Sequence, residues 1–433
     1  MSRKHWLTGV FAVLAFAQTL AYDIYLRDDP GNYNGAGASG DQVAYIDLAQ
    51  QVLHGTWQGA VHYMPGLPAV IALGQVLTGD PRLGIALIHG LLYAVIVAVA
   101  ARVAATTWGD HTRLWAAGAV AMNPALGYYA AQALTEFLTG FVLLCSVVAV
   151  HAWSHAPRLR MVALAGVLVG AAGYLRSEYL GLAVVFGLLV LWLGRSWRPA
   201  AVLVLATVLT ITPWVARYTL VTGSPALYNE SPFSNLVLMG TWFRVFDERT
   251  FAQLQQIETA PGPREQAIER ASTVGPRPEL SQRYMEQARG PYERPLGETL
   301  SLAFDNVRLN LRQYAVNHLL LAPVLIWAGR TPVRQADVGS VPSSARYVLW
   351  AAELALVLLA LWEAVRGLRA RDRRALSASF LAVVLFLTAV HVVIAVDERF
   401  TTPALPLVGL FAGARLAELG ALRRAVPVRR YAA

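Results

Sequence analysis

The chain has 433 residues, of which 56% are hydrophobic and 15% are charged, and its mean hydropathy is +0.45. Water-soluble domains cannot hide so much apolar surface, so the composition predicts an integral membrane protein. The net charge of +9 alone is typical of nucleic-acid binding, but the arginines are scattered and no aromatic platform lies among them. The single cysteine, Cys145, excludes an intrachain disulfide and a cysteine metal cluster.

Apolar stretches recur along most of the chain. A transmembrane helix needs about 20 mostly apolar residues. Ten apolar stretches are candidate spans, near 6–22, 82–106, 114–128, 137–153, 161–176, 179–194, 199–219, 347–365, 375–396 and 402–420. The sequence therefore predicts an all-α polytopic protein with about ten transmembrane helices and additional interfacial helices.

The basic loops predict how these helices are oriented. Short loops rich in Lys and Arg stay in the cytoplasm. Alternate threading from an inner N-terminus places every strongly basic short loop inside, including the run at 366–374. If the apolar stretch 317–329 also crossed, that run would lie outside, so we expect 317–329 to be an interfacial or re-entrant segment, like 64–78. The expected location is the cell (inner or plasma) membrane.

The order of the stretches predicts three regions. Residues 1–222 form an N-terminal membrane module, whose first outer loop, 23–81, contains Asp41. Residues 223–346 form an outer loop with interfacial helices, and residues 347–433 form the C-terminal transmembrane helices and a basic tail. The middle region is rich in charge, Gln and Pro, and its apolar periodicity is weak. We therefore expect short helices there without a core of their own.

Isolated charged residues lie at the outer ends of the threaded helices, opposite the basic loops. A charge near the bilayer costs at least a few kcal/mol, so it persists when it is paired or functional. Each of these residues also has an ordinary alternative, such as a helix cap, a local ion pair or an interfacial arginine. Their convergence on one face favours an active site. The residues are Asp41, Glu136, Arg176, Glu178, Arg217, Asp397 and Arg399.

Such a site suits a lipid-linked phosphate whose headgroup lies at the interface and whose tail stays in the membrane. Arginines hold phosphate through charge-assisted, bidentate hydrogen bonds. A carboxylate can deprotonate an acceptor hydroxyl or amine. Because phosphate is a good leaving group, an inverting sugar transfer needs one base and a cation cluster, and in principle no metal.

Six segments, in chain order, carry a resemblance to a known family. They are GDQVAYIDLAQQVLHG, MPGLPAVIALGQVLTG, NPALGYYAAQALTEFLTG, AGVLVGAAGYLRSEYL, TPWVARYTLVTG and ERFTTPALPLVGL. The ordered set resembles the GT-C superfamily of membrane glycosyltransferases that use polyprenyl-phosphate sugars, in particular the branch of the protein O-mannosyltransferases and the aminoarabinose transferases. The resemblance covers 1–222 and 375–420.

This resemblance implies roles for individual residues. Asp41 matches the acidic residue of the first outer loop, which serves as catalytic base or organises the acceptor, and Glu136 matches the second acidic position. The basic positions suited to the donor phosphate are matched by Arg176, Arg217 and Arg399, and Tyr45 lines the same pocket.

The sequence departs from the family before its Pro-Gly element. Many members carry an arginine there, whereas this chain has His62, Tyr63 and Met64, so that phosphate contact is not expected. Some members bind a divalent cation. His62 has no second histidine nearby at ligand spacing, so a divalent cation stays an open alternative and no metal ligand or other cofactor is assigned.

The sequence thus predicts a glycosyltransferase that moves a sugar from a polyprenyl-phosphate donor to a protein, lipid or glycan on the extracytoplasmic face. The main alternative is a transporter or flippase of a lipid-linked or anionic substrate, which is expected to contain internal repeats. No second copy of the first-half motifs occurs. A further alternative is a scaffold subunit with a degenerate site. The sugar, the acceptor and the oligomeric state stay open.

Overall fold

The computed structural model describes residues 3–27, 40–57, 63–223, 227, 231–290, 294–394 and 396–425. The glycine-rich loop before Gly40 and the side chain of His62 lie outside these ranges. Within them the chain forms helices and tight helical turns, without a β-strand. The prediction of an all-α protein is confirmed.

The first ten helices occupy the N-terminal half of the chain. They are α1 (Arg3–Leu26), α2 (Asp41–Leu53), α3 (Gly66–Thr78), α4 (Pro81–Trp108), α5 (Arg113–Ala121), α6 (Pro124–Ala130), α7 (Thr135–His155), α8 (Leu159–Leu175), α9 (Gly181–Gly194) and α10 (Trp197–Thr222). Seven shorter helices follow, namely α11 (Ser231–Gly240), α12 (Glu248–Thr259), α13 (Arg264–Ala271), α14 (Pro278–Ala288), α15 (Leu296–Leu309), α16 (Leu311–Val316) and α17 (Ala322–Ala328). The last three are α18 (Ser343–Gly367), α19 (Arg374–Ile394) and α20 (Leu405–Ala425).

Eight helical segments among the described residues are long and apolar enough to cross a membrane. They correspond to α1, α4, α7, α9 with the turn before it, α10, α18, α19 and α20 with the turn before it. Each overlaps one of the ten predicted stretches. The chain is therefore an integral membrane protein, as its composition predicted.

The other two predicted stretches form shorter helices. The stretch 161–176 forms α8, which has 17 residues and is apolar. The prediction of one continuous span at 114–128 is wrong, because the stretch divides into α5 and α6. The Asn123 side chain accepts hydrogen bonds from the backbone N–H groups of Ala125 and Leu126, at 3.0 and 3.3 Å. An asparagine cap followed by Pro124 starts a new helix, so the apolar run is interrupted there.

The chain divides into two compact units. The first comprises residues 1–227, 327–386 and 399–433, and the second comprises 228–326 and 387–398. In the first unit α8 packs against α7 and α10, while α1 packs against α4 and α5. One hydrophobic cluster of this unit joins α2 and α3 to α4 and α8 through side chains such as Tyr45, Leu67, Ile85 and Leu175.

The second unit has a hydrophobic core, which contradicts the expectation for the middle region. Its buried residues are Trp242, Val245, Leu254, Ala267, Ala271, Leu280, Tyr284 and Met285. Apolar side chains recur four residues apart on α13 and α14, so each short helix presents one apolar side. Helices of 8 to 12 residues show this periodicity over only two or three turns, and the sequence pattern therefore looks weak.

The segment 317–329 forms a single π-helical turn, Asn317–Leu321, followed by α17. It is not among the eight helices that are long and apolar enough to cross a membrane. Leu319 and Leu320 are 70% and 64% exposed, which is typical of side chains that face lipid. An interfacial or re-entrant position stays our prediction for this segment.

Candidate active site

Asp41 is the first residue of α2 and follows Gly40 directly. Gly40 has a φ of 145°, a conformation that glycine adopts without steric cost. The chain therefore enters the helix by a sharp turn and leaves the Asp41 carboxylate in the first helical turn. The free N–H groups at a helix N-terminus favour a negative charge there. The side chain is 35% exposed, so it can meet a substrate.

The buried side of α2 differs in part from the predicted one. The periodicity of α2 predicts an apolar side made of Val43, Ile46, Leu53 and the Ala49–Gln50 region, but Val43, Ile46 and Gln50 are half-buried and Leu53 is exposed. Ala49 is buried as predicted, and the other buried residues are Gln42, Tyr45 and Leu48. The Gln42 side-chain oxygen Oε1 accepts from the backbone N–H of Ala133 at 3.1 Å, and this hydrogen bond explains why a polar side chain faces the interior.

Glu136 lies in the first turn of α7, after the extended residue Leu134. Its side chain is only 2% exposed, so the helix N-terminus and neighbouring cations must compensate its charge. The oxygen Oε1 faces two guanidinium groups. The other oxygen, Oε2, is buried and has no hydrogen-bond partner among the described residues.

Arg176 and Arg399 also lie at helix ends. Arg176 follows the last residue of α8 and has an extended backbone, with φ −153° and ψ 126°. Arg399 lies in the helical turn Glu398–Ala404 that leads into α20. Their side chains are 20% and 30% exposed, so each guanidinium is packed on one side and open on another.

These residues form one ion-pair network. Arg399 Nη1 donates to Asp41 Oδ2 at 2.7 Å, and Arg399 Nε lies 4.0 Å from Glu136 Oε1. Arg176 Nη1 donates to the same Glu136 oxygen at 3.2 Å, and Arg176 Nε donates to Glu178 at 2.5 Å. We call this set the acid–arginine cluster; its members are Asp41, Glu136, Arg176, Glu178 and Arg399.

Two tyrosines support the Asp41 end of the cluster. Tyr63 Oη donates to Asp41 Oδ1 at 3.0 Å, so each Asp41 oxygen has a separate partner. The Tyr63 ring packs against the Tyr45 ring with centroids 4.8 Å apart. Burial raises the pKa of Tyr45 well above its usual range, so this phenol stays neutral beside the charges.

A glycine lets the helix after Tyr63 approach the end of α8. A Cβ atom on Gly66 would lie 2.6 Å from the carbonyl oxygen of Tyr174, closer than a real side chain can come. Only glycine therefore permits this contact between the start of α3 and the residues before Arg176. The Pro-Gly element thus brings Tyr63 and Arg176 into the same region.

Two residues that the sequence placed on the same face, Arg217 and Asp397, are not members of the acid–arginine cluster. Arg217 donates through Nη2 to the Trp57 carbonyl oxygen at 2.8 Å and lies over the Trp57 ring at 5.4 Å. The Trp57 ring stacks on that of Trp214, with centroids 5.1 Å apart. The described contacts of Arg217 do not connect it to the acid–arginine cluster. Asp397 falls in the second compact unit.

Two residues of this region were not identified from the sequence as site residues. Tyr63 was noted only as a departure from the family. Phe400 lies 4.5 Å from the Arg176 guanidinium carbon and 5.1 Å from that of Arg399, measured to the ring centroid. An aromatic face attracts cations, so Phe400 holds the two arginines side by side. The only indication in the sequence was that Phe400 directly follows Arg399, an arginine predicted to lie at the membrane interface.

The cluster does not fit a divalent cation. Within the described residues no three His, Cys, Asp or Glu side chains are placed to hold one metal ion. Asp41 Oδ2 and Glu136 Oε1 face guanidinium groups, whose positive charges oppose the binding of a cation beside them. We therefore derive no catalytic step through a metal.

Comparisons with known proteins agree with this architecture. No family model matches the sequence, and no curated protein matches it. Among solved structures, the chain has the fold of GT-C glycosyltransferases, so the resemblance inferred from the sequence is confirmed for the fold.

Two of these structures are of the oligosaccharyltransferase AglB from Archaeoglobus fulgidus. In complex with an inhibitory peptide and a dolichol-phosphate it has a TM-score of 0.51 at 12% identity, covering 99% of this chain and 53% of AglB. The apo form has a TM-score of 0.53 at 13% identity, covering 98% and 52%. The chain thus spans about half the length of this oligosaccharyltransferase. ArnT from Cupriavidus metallidurans, bound to undecaprenyl phosphate, has a TM-score of 0.41 at 14% identity, covering 95% and 78%.

Proposed function

We propose that the chain is a glycosyltransferase that moves a sugar from a polyprenyl-phosphate donor to an acceptor on the extracytoplasmic side of the cell membrane. The observation that carries the proposal is the acid–arginine cluster. It combines two partly exposed arginine side chains with a partly exposed carboxylate, each at the end of a helix or helical turn. The GT-C fold and the dolichol-phosphate bound to AglB support a lipid phosphate as the donor headgroup.

The arginines would bind the donor phosphate. Arg176 uses Nε and Nη1 for Glu178 and Glu136, and its Nη2 has no described partner. Arg399 is 30% exposed and turns a second nitrogen toward Glu136. Two neighbouring guanidinium groups suit the two non-bridging oxygens of the donor's phosphodiester, and the third oxygen of the leaving polyprenyl phosphate adds a negative charge for them to hold. Glu136, which faces both arginines, would hold the two guanidinium groups in place. Arg217 stays our prediction for a further contact with the donor.

Asp41 would act as the general base. Its carboxylate would accept the proton of an acceptor hydroxyl or amine while that group attacks the sugar carbon that carries the phosphate. The bond from this carbon to the phosphate oxygen breaks as the new bond forms. Attack from the opposite side inverts the carbon, and polyprenyl phosphate leaves with its negative charge held by the arginines. The acceptor group is a hydroxyl or amine of a protein, lipid or glycan.

Turnover of a defined donor tests the proposed function. The purified chain in liposomes is incubated with a panel of polyprenyl-phosphate sugars labelled in the sugar, with and without extracted envelope acceptors. We expect one donor to lose its label to water or acceptor and to yield polyprenyl phosphate, and we expect added polyprenyl phosphate to inhibit this reaction. If no donor is cleaved while a labelled lipid crosses the bilayer, the transporter alternative replaces the proposal.

The side of the membrane is tested by cysteine labelling. Cys145 is the only cysteine, so one substitution, Cys145→Ser, gives a cysteine-free background. Asp47 is an exposed residue of α2, and Arg369 is exposed in the basic run between α18 and α19. In intact cells we expect a membrane-impermeant maleimide to label Asp47→Cys and to leave Arg369→Cys unlabelled until the membrane is opened. Labelling of Arg369→Cys alone from outside would reverse the proposed orientation.

A further inference from the structure

Arg330 is a buried arginine that lies outside the acid–arginine cluster. It follows α17 in the first compact unit, and its side chain is 1% exposed. Together with Glu353 on α18 it lines one part of a largely apolar cavity of about 650 Å³ between α1, α5 and α18. A charge in such surroundings is costly unless it is paired and hydrogen-bonded. The partners of Arg330 therefore indicate what it does.

Those partners connect Arg330 to the segment that carries Arg399. Arg330 Nε donates to Thr402 Oγ1 at 3.2 Å, and Nη2 donates to Thr401 Oγ1. Both threonines are fully buried. They lie two and three residues after Arg399, in the same helical turn. One guanidinium thus holds two adjacent hydroxyls and fixes the turn in two places.

Two further contacts fix Arg330 itself. Its Nη1 donates to the Trp327 carbonyl oxygen at 3.1 Å and lies 3.6 Å from Glu353 Oε2. The planar fork is therefore held from several directions, which a flexible ammonium group does not reproduce. The position of the Arg330 guanidinium group therefore determines where the backbone of Thr401 and Thr402 lies.

We propose that Arg330 is a positioning residue, which acts through Thr401 and Thr402 to place the Arg399 guanidinium against Asp41 and Glu136. The inference rests on the proposed function, because it concerns donor binding by Arg399. Arg330 does not touch the substrate. A shift of the turn by a few tenths of an ångström changes both the 2.7 Å bond to Asp41 and the 4.0 Å contact with Glu136.

The experiment is a double-mutant cycle between Arg330 and Arg399 in the donor-turnover assay. Arg330→Lys keeps the charge but cannot serve both hydroxyls and Glu353 together. We expect it to raise the KM for the donor and the inhibition constant of polyprenyl phosphate by about tenfold, the effect of roughly one charge-assisted hydrogen bond. In an Arg399→Lys background we expect the same change to add less than about twofold, because interacting residues are not additive.

Glu353 and Glu363 supply a matched pair of controls. Both are carboxylates of α18 that pair with arginine, Glu353 with Arg330 and Glu363 with Arg366. Glu353→Gln should raise the donor KM in the wild-type background, but it should not raise it further in the Arg399→Lys background. Glu363→Gln should leave the donor KM unchanged. Glu363 lies ten residues further along the helix, away from the 401–402 turn.

The possible outcomes separate the inference from the proposed function. If the effects of Arg330→Lys and Arg399→Lys multiply, or if Arg330→Lys leaves the donor KM unchanged, Arg330 is not a positioning residue. If Arg330→Lys does not insert into the membrane, Thr402→Val removes the 3.2 Å bond without a change of charge and enters the same cycle. If the wild-type chain turns over no donor at all, the proposed function fails and the inference fails with it.

Discussion

Asp41→Asn is expected to lower the rate of sugar transfer by about 10²- to 10⁴-fold, the usual contribution of a general base. Asparagine has the same shape and keeps one oxygen that can accept from Arg399 or Tyr63, so the site should retain its geometry. It cannot accept a proton from the acceptor. Polyprenyl phosphate should therefore inhibit the variant at least as strongly as the wild type, because phosphate binding depends on the arginines and Arg399 no longer pairs with the Asp41 carboxylate. Single-turnover kinetics with saturating donor measures the chemical step directly.

Asp47→Asn is the matched control for this prediction. Asp47 lies on the same helix, six residues after Asp41, and is exposed. Its removal changes the net charge of α2 by the same amount, but we expect transfer at the wild-type rate. Full transfer activity of a correctly inserted Asp41→Asn variant would contradict the role of Asp41 as base. An equal loss in both variants would indicate that the charge of the helix, rather than the Asp41 carboxylate, is required.

Glu136→Gln is expected to destabilise the protein and to weaken donor binding together. Removing one partner of a fully buried ion pair costs about 3–5 kcal/mol, and we expect roughly 2–4 kcal/mol here because both arginines are partly exposed to solvent. The amide keeps one oxygen that can accept from the arginines, but it lacks the negative charge that balances the two guanidinium groups. The unfolding transition in detergent should therefore move to lower temperature. The KM for the donor should rise, because Arg176 and Arg399 both lose their ion pair with Glu136.

Glu363→Gln is the control that separates stability from donor binding. Glu363 is also a fully buried carboxylate near two arginines, with Arg366 Nη1 at 3.0 Å and Arg373 Nη1 at 3.5 Å. It additionally accepts from the Trp108 indole N–H at 2.8 Å. We expect a similar loss of stability and an unchanged donor KM in the folded fraction. If the two variants lose stability equally and neither changes the donor KM, Glu136 has a structural role alone.

The convergence of the cluster could be predicted because it follows from helix ends. Glu136, Arg176 and Arg399 each lie within one turn of the end of a helix or helical turn that adjoins an apolar stretch, and Asp41 lies in the first outer loop. Threading the apolar stretches alternately through a bilayer places all four residues on the same side. Threading does not fix the distance between residues on that side. Arg217 shows this limit, because its neighbours are Trp57 and Trp214. The catalytic and binding roles of these residues stay predictions.

Features that depend on side-chain packing could not be predicted from the sequence. The divided stretch at 114–128 depends on a single asparagine cap before Pro124, which a hydropathy window averages away. Arg330 follows an apolar segment, and no pattern in the sequence indicates that its side chain is almost fully buried. The core of the second unit needs the side chains of several short helices at once. The apolar periodicity of each short helix alone extends over too few residues to distinguish the helix from a loop.

The bond between Arg399 and Asp41 has a consequence for the order in which substrates bind. Arg399 Nη1 lies 2.7 Å from the carboxylate that would take the acceptor's proton. While this bond persists, the cation competes with the acceptor for the same oxygen. A phosphate that draws Arg399 away leaves Asp41 held by Tyr63 alone, with one oxygen open. In the proposed mechanism, an acceptor that arrived first would therefore meet an occupied base, and one that arrived after the donor would meet a released base.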